Sequence, residues 1–319
     1  MSNKTLKVGL IGLGKMGKNH LRILSMLKSV SLEFIYDIDV PQAKELANQY
    51  EVSLVLNLES ALNDVEAVVI CTPTSTHFEY IKLVGEYVKN IFVEKPLTET
   101  QEKSRQVLEY ADVQKLNIQI GFIERFNPAI EDLKTILTKN SPIINIDFTR
   151  TNKLSSRITD VNVITDLMIH DIDLALYLNG PVKTLTANGV IENGMVAFAN
   201  ATLHHLNGSY SRILASRITE KKIRLIQATC QDMFIYCDLL RKEIIINKQS
   251  VTNQSINQPY TISSVEEMVA VLPQEALLNE LQTFVAFCNG KEVSIPNVND
   301  GLNATIVCDK IQQCIGGGK

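Results

Sequence analysis

Leu6-Lys7-Val8-Gly9-Leu10-Ile11-Gly12-Leu13-Gly14-Lys15-Met16-Gly17 is the stretch that decides the fold. Its first six residues read as a short buried strand, apolar and β-branched. The next six fit G-x-G-x-x-G, and apolar residues then recur at helical spacing at Met16, Leu21, Leu24 and Leu27. Strand, glycine turn and helix is the order that a dinucleotide-binding fingerprint requires. Gly12 permits the tight turn, Gly14 lets the backbone approach a pyrophosphate, and Gly17 lets the helix pack close to the strand. The helix N-terminus then faces the phosphates. A second strand over 32–36 ends at Asp37, twenty residues after Gly17. A carboxylate there accepts hydrogen bonds from the adenosine ribose hydroxyls. The same charge repels an added 2′-phosphate, and no Arg follows it directly, so NAD is expected in preference to NADP. Asp39 is the nearby competitor, or else a turn residue before Pro41.

Composition narrows the class. A chain of 319 residues, 45% apolar and 21% charged, predicts two domains with ample length for a core. The net charge of −4 and the absence of a basic run give no hint of a nucleic-acid partner. No apolar stretch approaches the ~20 residues of a membrane span. Met1-Ser2-Asn3-Lys4 leads directly into a strand, leaving no room for a signal peptide. The six cysteines are scattered without a C-x-x-C, and most lie in apolar patterns, where a thiol is a small hydrophobe. A reduced, cytoplasmic setting is the simple expectation. Five histidines without ligand spacing argue against a metal site.

Strand and helix alternate through the first half. After Asp37 come a helix over 41–50, a strand near 53–55, a helix near 59–62 and a strand over 67–71. The polar loop Thr72-Pro73-Thr74-Ser75-Thr76-His77 opens a helix over 78–89. A strand over 91–93 closes on Glu94-Lys95-Pro96, and a helix over 99–116 leads to a last strand over 118–120. This rhythm predicts a doubly wound parallel sheet of the Rossmann type, in which ligands sit at the carboxyl ends of the strands. Gly12, Asp37, Thr72 and Lys95 all fall immediately after strands.

Beyond residue 122 the construction changes. Asn127-Pro128 reads as an N-cap followed by proline at the first helical position of a helix to about 137. A strand over 143–150 and a polar loop over 151–161 carry Arg150, Lys153 and Arg157. A helix over 163–178 follows, then strands over 185–191, 195–203, 209–216, 223–228, 233–238 and 243–246. Two helices, near 275–288 and 300–314, end the chain. The expected organisation is an NAD-binding domain over 1–122 and a substrate and oligomerisation domain over 123–319. The latter is α+β, with an open, mostly antiparallel sheet backed by helices, and its C-terminal helix is available to pack back on the first domain.

With these elements placed, the chain resembles the Gfo/Idh/MocA family of NAD(P)-dependent sugar and cyclitol oxidoreductases. The resemblance runs over nearly the full length. Its carriers are the glycine fingerprint with Asn19-His20, Thr72-Pro73-Thr74 with His77, and Glu94-Lys95-Pro96. Gly121-Phe122-x-x-Arg125-Phe126-Asn127-Pro128 and Asp166-x-x-x-His170-Asp171 complete it. Glu94-Lys95-Pro96 and the D-x-x-x-H-D element, in this order, are far more specific than the fingerprint. Glu124 to Ala129, Arg157-Ile158-x-Asp160-Val161 and His170-Asp171-Ile172-Asp173 are similar to members that oxidise the C3 hydroxyl of UDP-N-acetylglucosamine to a ketone. The loop before Arg157 lacks the prolines and glycine of those members, and Gln231-Asp232 stands where a glycine turn is common.

Oxidising a secondary alcohol needs a base for the hydroxyl proton, a carbon hydrogen aimed at the nicotinamide, and charge that stabilises the developing alkoxide. Lys95 and His170 are the candidates. Lys95 sits in a pre-proline loop at the carboxyl edge of the sheet. His170 lies on the predicted helix four residues after Asp166, so the two share a face and the Asp can fix the imidazole tautomer and favour its protonated form. The resemblance implies His170 as base and Lys95 as the group that binds and polarises the hydroxyl, and the reverse assignment also stands. It further implies that Lys15, Met16, Thr72, Pro73, Thr74, His77 and Glu94 line the cofactor beside Gly12, Gly14, Gly17 and Asp37. Lys95, Arg125, Asn127, Arg157, Asp166 and His170 then face the substrate. Guanidinium groups suit phosphate oxygens, which makes Arg125 and Arg157 candidates for a diphosphate. Asn127 is first a helix cap, and His204 and His205 point to opposite faces of a strand and are structural.

The leading expectation is an NAD-dependent dehydrogenase of a nucleotide sugar, with a free-sugar or inositol dehydrogenase as the alternative. A sensor that binds sugar or dinucleotide without catalysis is the alternative of another class, and retention of both Lys95 and His170 argues against it. An open antiparallel sheet favours a homodimer or homotetramer, with no nucleic-acid or membrane partner.

Overall fold

Short β-branched runs become the strands of the first sheet, and amphipathic stretches become the helices between them. The computed structural model describes residues 5–139, 142–153, 162–251 and 262–316. In order, β1 (Leu6–Ile11), α1 (Lys15–Met26), β2 (Val30–Tyr36), α2 (Val40–Tyr50), β3 (Ser53–Leu54) and α3 (Leu58–Leu62) build one half of the sheet. Then β4 (Ala67–Ile70), α4 (Thr74–Gly85), β5 (Asn90–Glu94), α5 (Gln101–Gln114) and β6 (Asn117–Gly121) build the other. The six strands run in the order β3-β2-β1-β4-β5-β6, all parallel. The order reverses between β1 and β4, and ligands bind outside the strand ends at such a switch point. All four residues of β4 are fully buried, each larger apolar side chain contributing roughly 1.5–3 kcal/mol. Helix starts follow local chemistry: the Asp39 carboxylate accepts the Gln42 amide ahead of Pro41, and Thr100 accepts the Lys103 amide.

A 3₁₀ turn (Ile123–Phe126) leads into α6 (Pro128–Lys139) and β7 (Ile143–Thr151). The expected helix over 163–178 begins as a π-helical segment (Ile164–Met168) before α7 (Ile169–Asn179). Six strands follow as expected in place, β8 (Val182–Glu192), β9 (Met195–His205), β10 (Tyr210–Ser216), β11 (Ile223–Cys230), β12 (Met233–Asp238) and β13 (Glu243–Val251). A further strand, β14 (Ile262–Val269), pairs with β13 and has no counterpart among the expected strands. The sheet order is β14-β13-β12-β11-β7-β10-β9-β8. It is antiparallel except for β7 and β10, which run parallel because β7 enters the sheet between strands that come later in the chain. Helices α8 (Ala276–Cys288) and α9 (Val298–Gly316) end the chain.

The chain forms two compact units, Met1–Ile123 with Glu275–Ile306 and Glu124–Gln274 with Val307–Lys319. In the first, Leu277, Leu281, Phe284 and Val285 of α8 join the core that α1 makes with Leu21, Ile23 and Leu24. Among the described residues no helix is long and apolar enough to cross a membrane.

Candidate active site

In the first unit the turn after β1 is shaped by glycine. Gly12 has φ +91°, and a Cβ there would lie 2.7 Å from the Cys71 carbonyl carbon and the Thr72 nitrogen. A Cβ on Gly17 would lie 2.0 Å from the Gly12 oxygen, so only glycine lets α1 start this close to β1. Gly14 faces open space, with no atom within 4 Å of an added Cβ. That bare backbone opens on a cavity of about 640 Å³ at the strand ends.

Gly12, Gly14, Met16 and Asp37 line it on one side, and Thr72, Pro73, Glu94 and Lys95 on the other. Asp37 holds the glycine turn: one carboxylate oxygen accepts the Leu13 amide at 2.5 Å and the other the Asp39 amide at 2.8 Å. Gly17 and His77 lie behind the lining. The ring nitrogens of His77 stand 2.9 Å from the Pro96 carbonyl and 3.0 Å from the Thr72 carbonyl, so the ring ties the Lys95–Pro96 loop to the Thr72 loop. Burial holds its pKa below the ordinary value although both carbonyls pull the other way. Lys15 and Thr74 are likewise outside the lining.

Sequence reading missed Tyr36, Ile38, Gln42, Cys71, Thr76 and Tyr80, which also line the cavity. Tyr36 is hydrogen-bonded to Tyr80, whose pKa burial raises, with Tyr36 and Asp37 adding to the effect. Thr76 and Tyr80 are one helical turn apart on α4, a spacing that was available as a signal.

Beneath the cavity, His20 Nε2 lies 2.8 Å from Glu94 Oε1, and the second oxygen of Glu94 accepts the Lys95 amide at 3.2 Å. His20, Cys71 and Glu94 bring ligand-type atoms within 4.8 Å of one another. Burial, then the charges of Glu94 and Glu280, push the Cys71 thiol well up. The three side chains form a packed polar cluster in the interior of the first unit.

In the second unit His170 is half-buried on the first turn of α7, and Asp166 lies on the π-helical segment before it. Such segments are frequent at functional sites. The Asp166 Oδ2 meets Arg217 Nη2 at 2.7 Å, a contact sequence reading did not anticipate. Arg125 forks onto Asp173 at 2.8 and 2.6 Å and lies over the Tyr177 ring. Its planar face is thus committed within the unit, away from the diphosphate role expected of it. Asn127 accepts the Ala129 amide at 3.2 Å, the capping role, and its amide nitrogen reaches Glu124 at 3.4 Å. Arg157 lies outside the described residues. Fully buried Arg150 bridges Asp171 (both bonds 2.8 Å) and Glu124 (2.7 Å), and Arg224 meets Glu124 at 3.1 Å. Burial opposes the charge of Glu124, but Arg150 and Arg224 outweigh it and hold this carboxyl below the usual range. His205 is structural, placed between the Gly180 carbonyl at 2.7 Å and Ser211 at 2.9 Å.

A glycine-cradled cavity at the switch point of a parallel sheet is the arrangement that binds a dinucleotide. Residues 6–122 match the Gfo/Idh/MocA family model, described as an oxidoreductase family with an NAD-binding Rossmann fold. Across 297 residues it is 27% identical to UDP-N-acetylglucosamine 3-dehydrogenase of Acidithiobacillus ferrooxidans, covering 89% of this chain and 92% of that protein. A solved structure of that enzyme superposes with a TM-score of 0.88 at 25% identity, over 98% of both chains. Inositol 2-dehydrogenase of Rhizobium meliloti is 27% identical over 96% of this chain and 95% of its own. Levoglucosan dehydrogenase in complex with NADH shares the fold, with a TM-score of 0.83 at 20% identity over 98% of both chains.

Proposed function

We propose that the protein is an NAD-dependent dehydrogenase that oxidises a secondary hydroxyl of a sugar, with C3 of a UDP-N-acetylhexosamine as the preferred target. The observation that carries this reading is the cavity after β1, where bare glycine backbone, the Asp37 carboxylate and Lys95 line one space. The nicotinamide cofactor supplies the acceptor for the carbon-bound hydrogen when it is bound. Gly12 and Gly14 admit its pyrophosphate, and Asp37 receives the ribose hydroxyls and disfavours a 2′-phosphate. Thr72, Pro73 and Glu94 wall the nicotinamide side. Lys95 binds and polarises the reacting hydroxyl, and His170, backed by Asp166, takes its proton at an imidazole nitrogen. Arg157 is assigned to the diphosphate and Asn127 to the sugar, whereas Arg125 serves by holding α7 through Asp173.

The full-length similarity to an enzyme of UDP-N-acetylglucosamine supports the nucleotide-sugar assignment. Equal identity to an inositol 2-dehydrogenase supports a second reading, a dehydrogenase of free polyols. Steady-state NADH formation with UDP-N-acetylglucosamine, inositols and free sugars separates them: turnover with the UDP-sugar is expected, and turnover with polyols alone overturns the first reading. Lys95→Ala and His170→Ala are each expected to abolish turnover while NAD still binds. A protein that binds NAD but oxidises no alcohol would be a sensor instead.

A further inference from the structure

Resting on the assignment of His170 as the base, we infer that Arg217 is a positioning residue that sets the working pH of that base through Asp166. Arg217 follows β10, its side chain 8% exposed, and its Nη2 lies 2.7 Å from Asp166 Oδ2. Asp166 is 36% exposed and sits one turn before His170 on the π-helical segment packed against β10. A carboxylate one turn from an imidazole stabilises the charge that appears when the ring takes a proton. A guanidinium held on that carboxylate competes with the imidazole for its oxygens and so weakens its pull on the ring proton. It also fixes the carboxylate's orientation, because a planar fork leaves less freedom than an ammonium. An imidazole backed by an uncompensated Asp would retain its proton to higher pH and be a poorer base near neutrality.

Among the described residues several other charges near α7 have partners of their own, and Lys134 of α6 lies 3.4 Å over the Tyr177 ring. From β7, Arg150 closes on Asp171 and Glu124, and from β11, Arg224 closes on Glu124. Arg125 from the 3₁₀ turn closes on Asp173. From β10, Arg212 closes on Asp147, and beyond β7 Lys153 closes on Glu220. His205 of β9 faces Gly180 and Ser211 at the far end of the helix. Among the described residues, Asp166 with Arg217 is an ion pair one turn N-terminal to His170.

The test is the pH profile of kcat/KM for wild type, Arg217→Gln, Arg217→Lys, Asp166→Asn and the double variant Asp166→Asn/Arg217→Gln. Removing the guanidinium is expected to move the acid limb about one pH unit toward alkaline. Lys is expected to restore most of it, and Asp166→Asn to move the limb the opposite way. The double variant, which leaves no charge without its partner, is expected to coincide with Asp166→Asn, because Arg217 acts through that carboxylate. A folded Arg217→Gln whose limb stays at the wild-type pH, while Asp166→Asn moves it, overturns the role of Arg217 and leaves the base assignment standing. Should Arg217→Gln not fold, a double variant whose limb departs from that of Asp166→Asn overturns it equally. If no substitution at 166 or 217 moves the limb and His170→Ala keeps it, the assignment of His170 is what fails.

Discussion

The imidazole of His20 and the carboxylate of Glu94 stand 2.8 Å apart in the interior of the first unit, the His wholly buried and the Glu 7% exposed. This pair joins the helix after the glycine turn to the residue preceding Lys95, and the other oxygen of Glu94 accepts the Lys95 amide. The helix after the glycine turn and the Lys95 loop are thereby tied to one hydrogen-bonded couple. Leaving one buried partner unsatisfied costs about 1–3 kcal/mol. Glu94→Gln and His20→Ala are expected to lower unfolding free energy by that order and to weaken NAD binding. Denaturant titration with and without NAD checks this, and unchanged midpoints in both variants would refute it.

The glycines of the fingerprint divide into those the fold requires and one it does not. An added methyl at Gly17 meets backbone oxygen at 2.0 Å, which no side-chain rearrangement relieves, so Gly17→Ala is expected to disrupt the first unit outright. Gly14 has φ −64° and open space around it. Gly14→Ala is expected to change stability by less than about 0.5 kcal/mol, as for an unencumbered surface site. It still places a methyl where a pyrophosphate must approach, so NAD affinity should fall by tenfold or more, on the order of 1.4 kcal/mol. Isothermal titration beside a melting curve separates the two effects. Normal NAD affinity in Gly14→Ala would mean the dinucleotide does not lie on this turn.

What the sequence made legible was what local pattern encodes. β1, the glycine turn and the carboxylate after β2 are read from adjacent residues, and Gly12, Asp37, Thr72 and Lys95 are placed by the rule that loops follow strand ends. Long-range electrostatics left no such trace. Arg150 stood only as a charge at the end of an expected strand, yet it is fully buried because Asp171 and Glu124, distant in sequence, neutralise it. Arg125 looked like a phosphate ligand, but an Asp forty-eight positions later takes its fork. The parallel pairing of β7 with β10 was equally hidden, since alternation of apolar residues specifies a strand and not its neighbour. The π-helical start of α7 shares the apolar spacing of an α-helix over so few residues that periodicity does not separate them.

Two buried histidines give stability a pH dependence of known sign. Burial is the largest cause that lowers the pKa of His77 in the first unit and of His205 in the second. Each therefore takes a proton more readily in the unfolded chain, whose value is about 6.5. Their contribution is complete above that pH and is lost as the pH falls through about 6.5 toward the lower folded values. Glu124, held below the usual carboxylate range, loses its contribution only at more acid pH. Unfolding free energy is thus expected to fall between about pH 7 and about pH 5, and less steeply in His77→Gln or His205→Gln. Equal slopes in wild type and both variants would place the proton uptake elsewhere.

Asp37 is expected to set both the affinity for the dinucleotide and the choice between its two forms. Its carboxylate already accepts the Leu13 and Asp39 amides, which fixes its orientation at the end of β2 and leaves its remaining lone pairs directed at the cavity. Two ribose hydroxyls can bind there, and hydrogen bonds to a charged acceptor are each worth about 1.5–3 kcal/mol. A 2′-phosphate would instead meet a like charge, and the adjoining Ile38 offers it no cation. Asp37→Asn keeps the size and one acceptor oxygen, so NAD affinity should fall roughly 10- to 100-fold, whereas NADP affinity should hold or rise. Asp37→Asn with Ile38→Arg should carry the preference over to NADP, because a guanidinium beside the ribose supplies the missing partner for phosphate. Dissociation constants for both dinucleotides, measured on variants with wild-type melting temperatures, decide the matter. If the ratio of the two affinities stays where wild type has it, the adenosine ribose does not rest on Asp37 and cofactor choice is made elsewhere along the cavity.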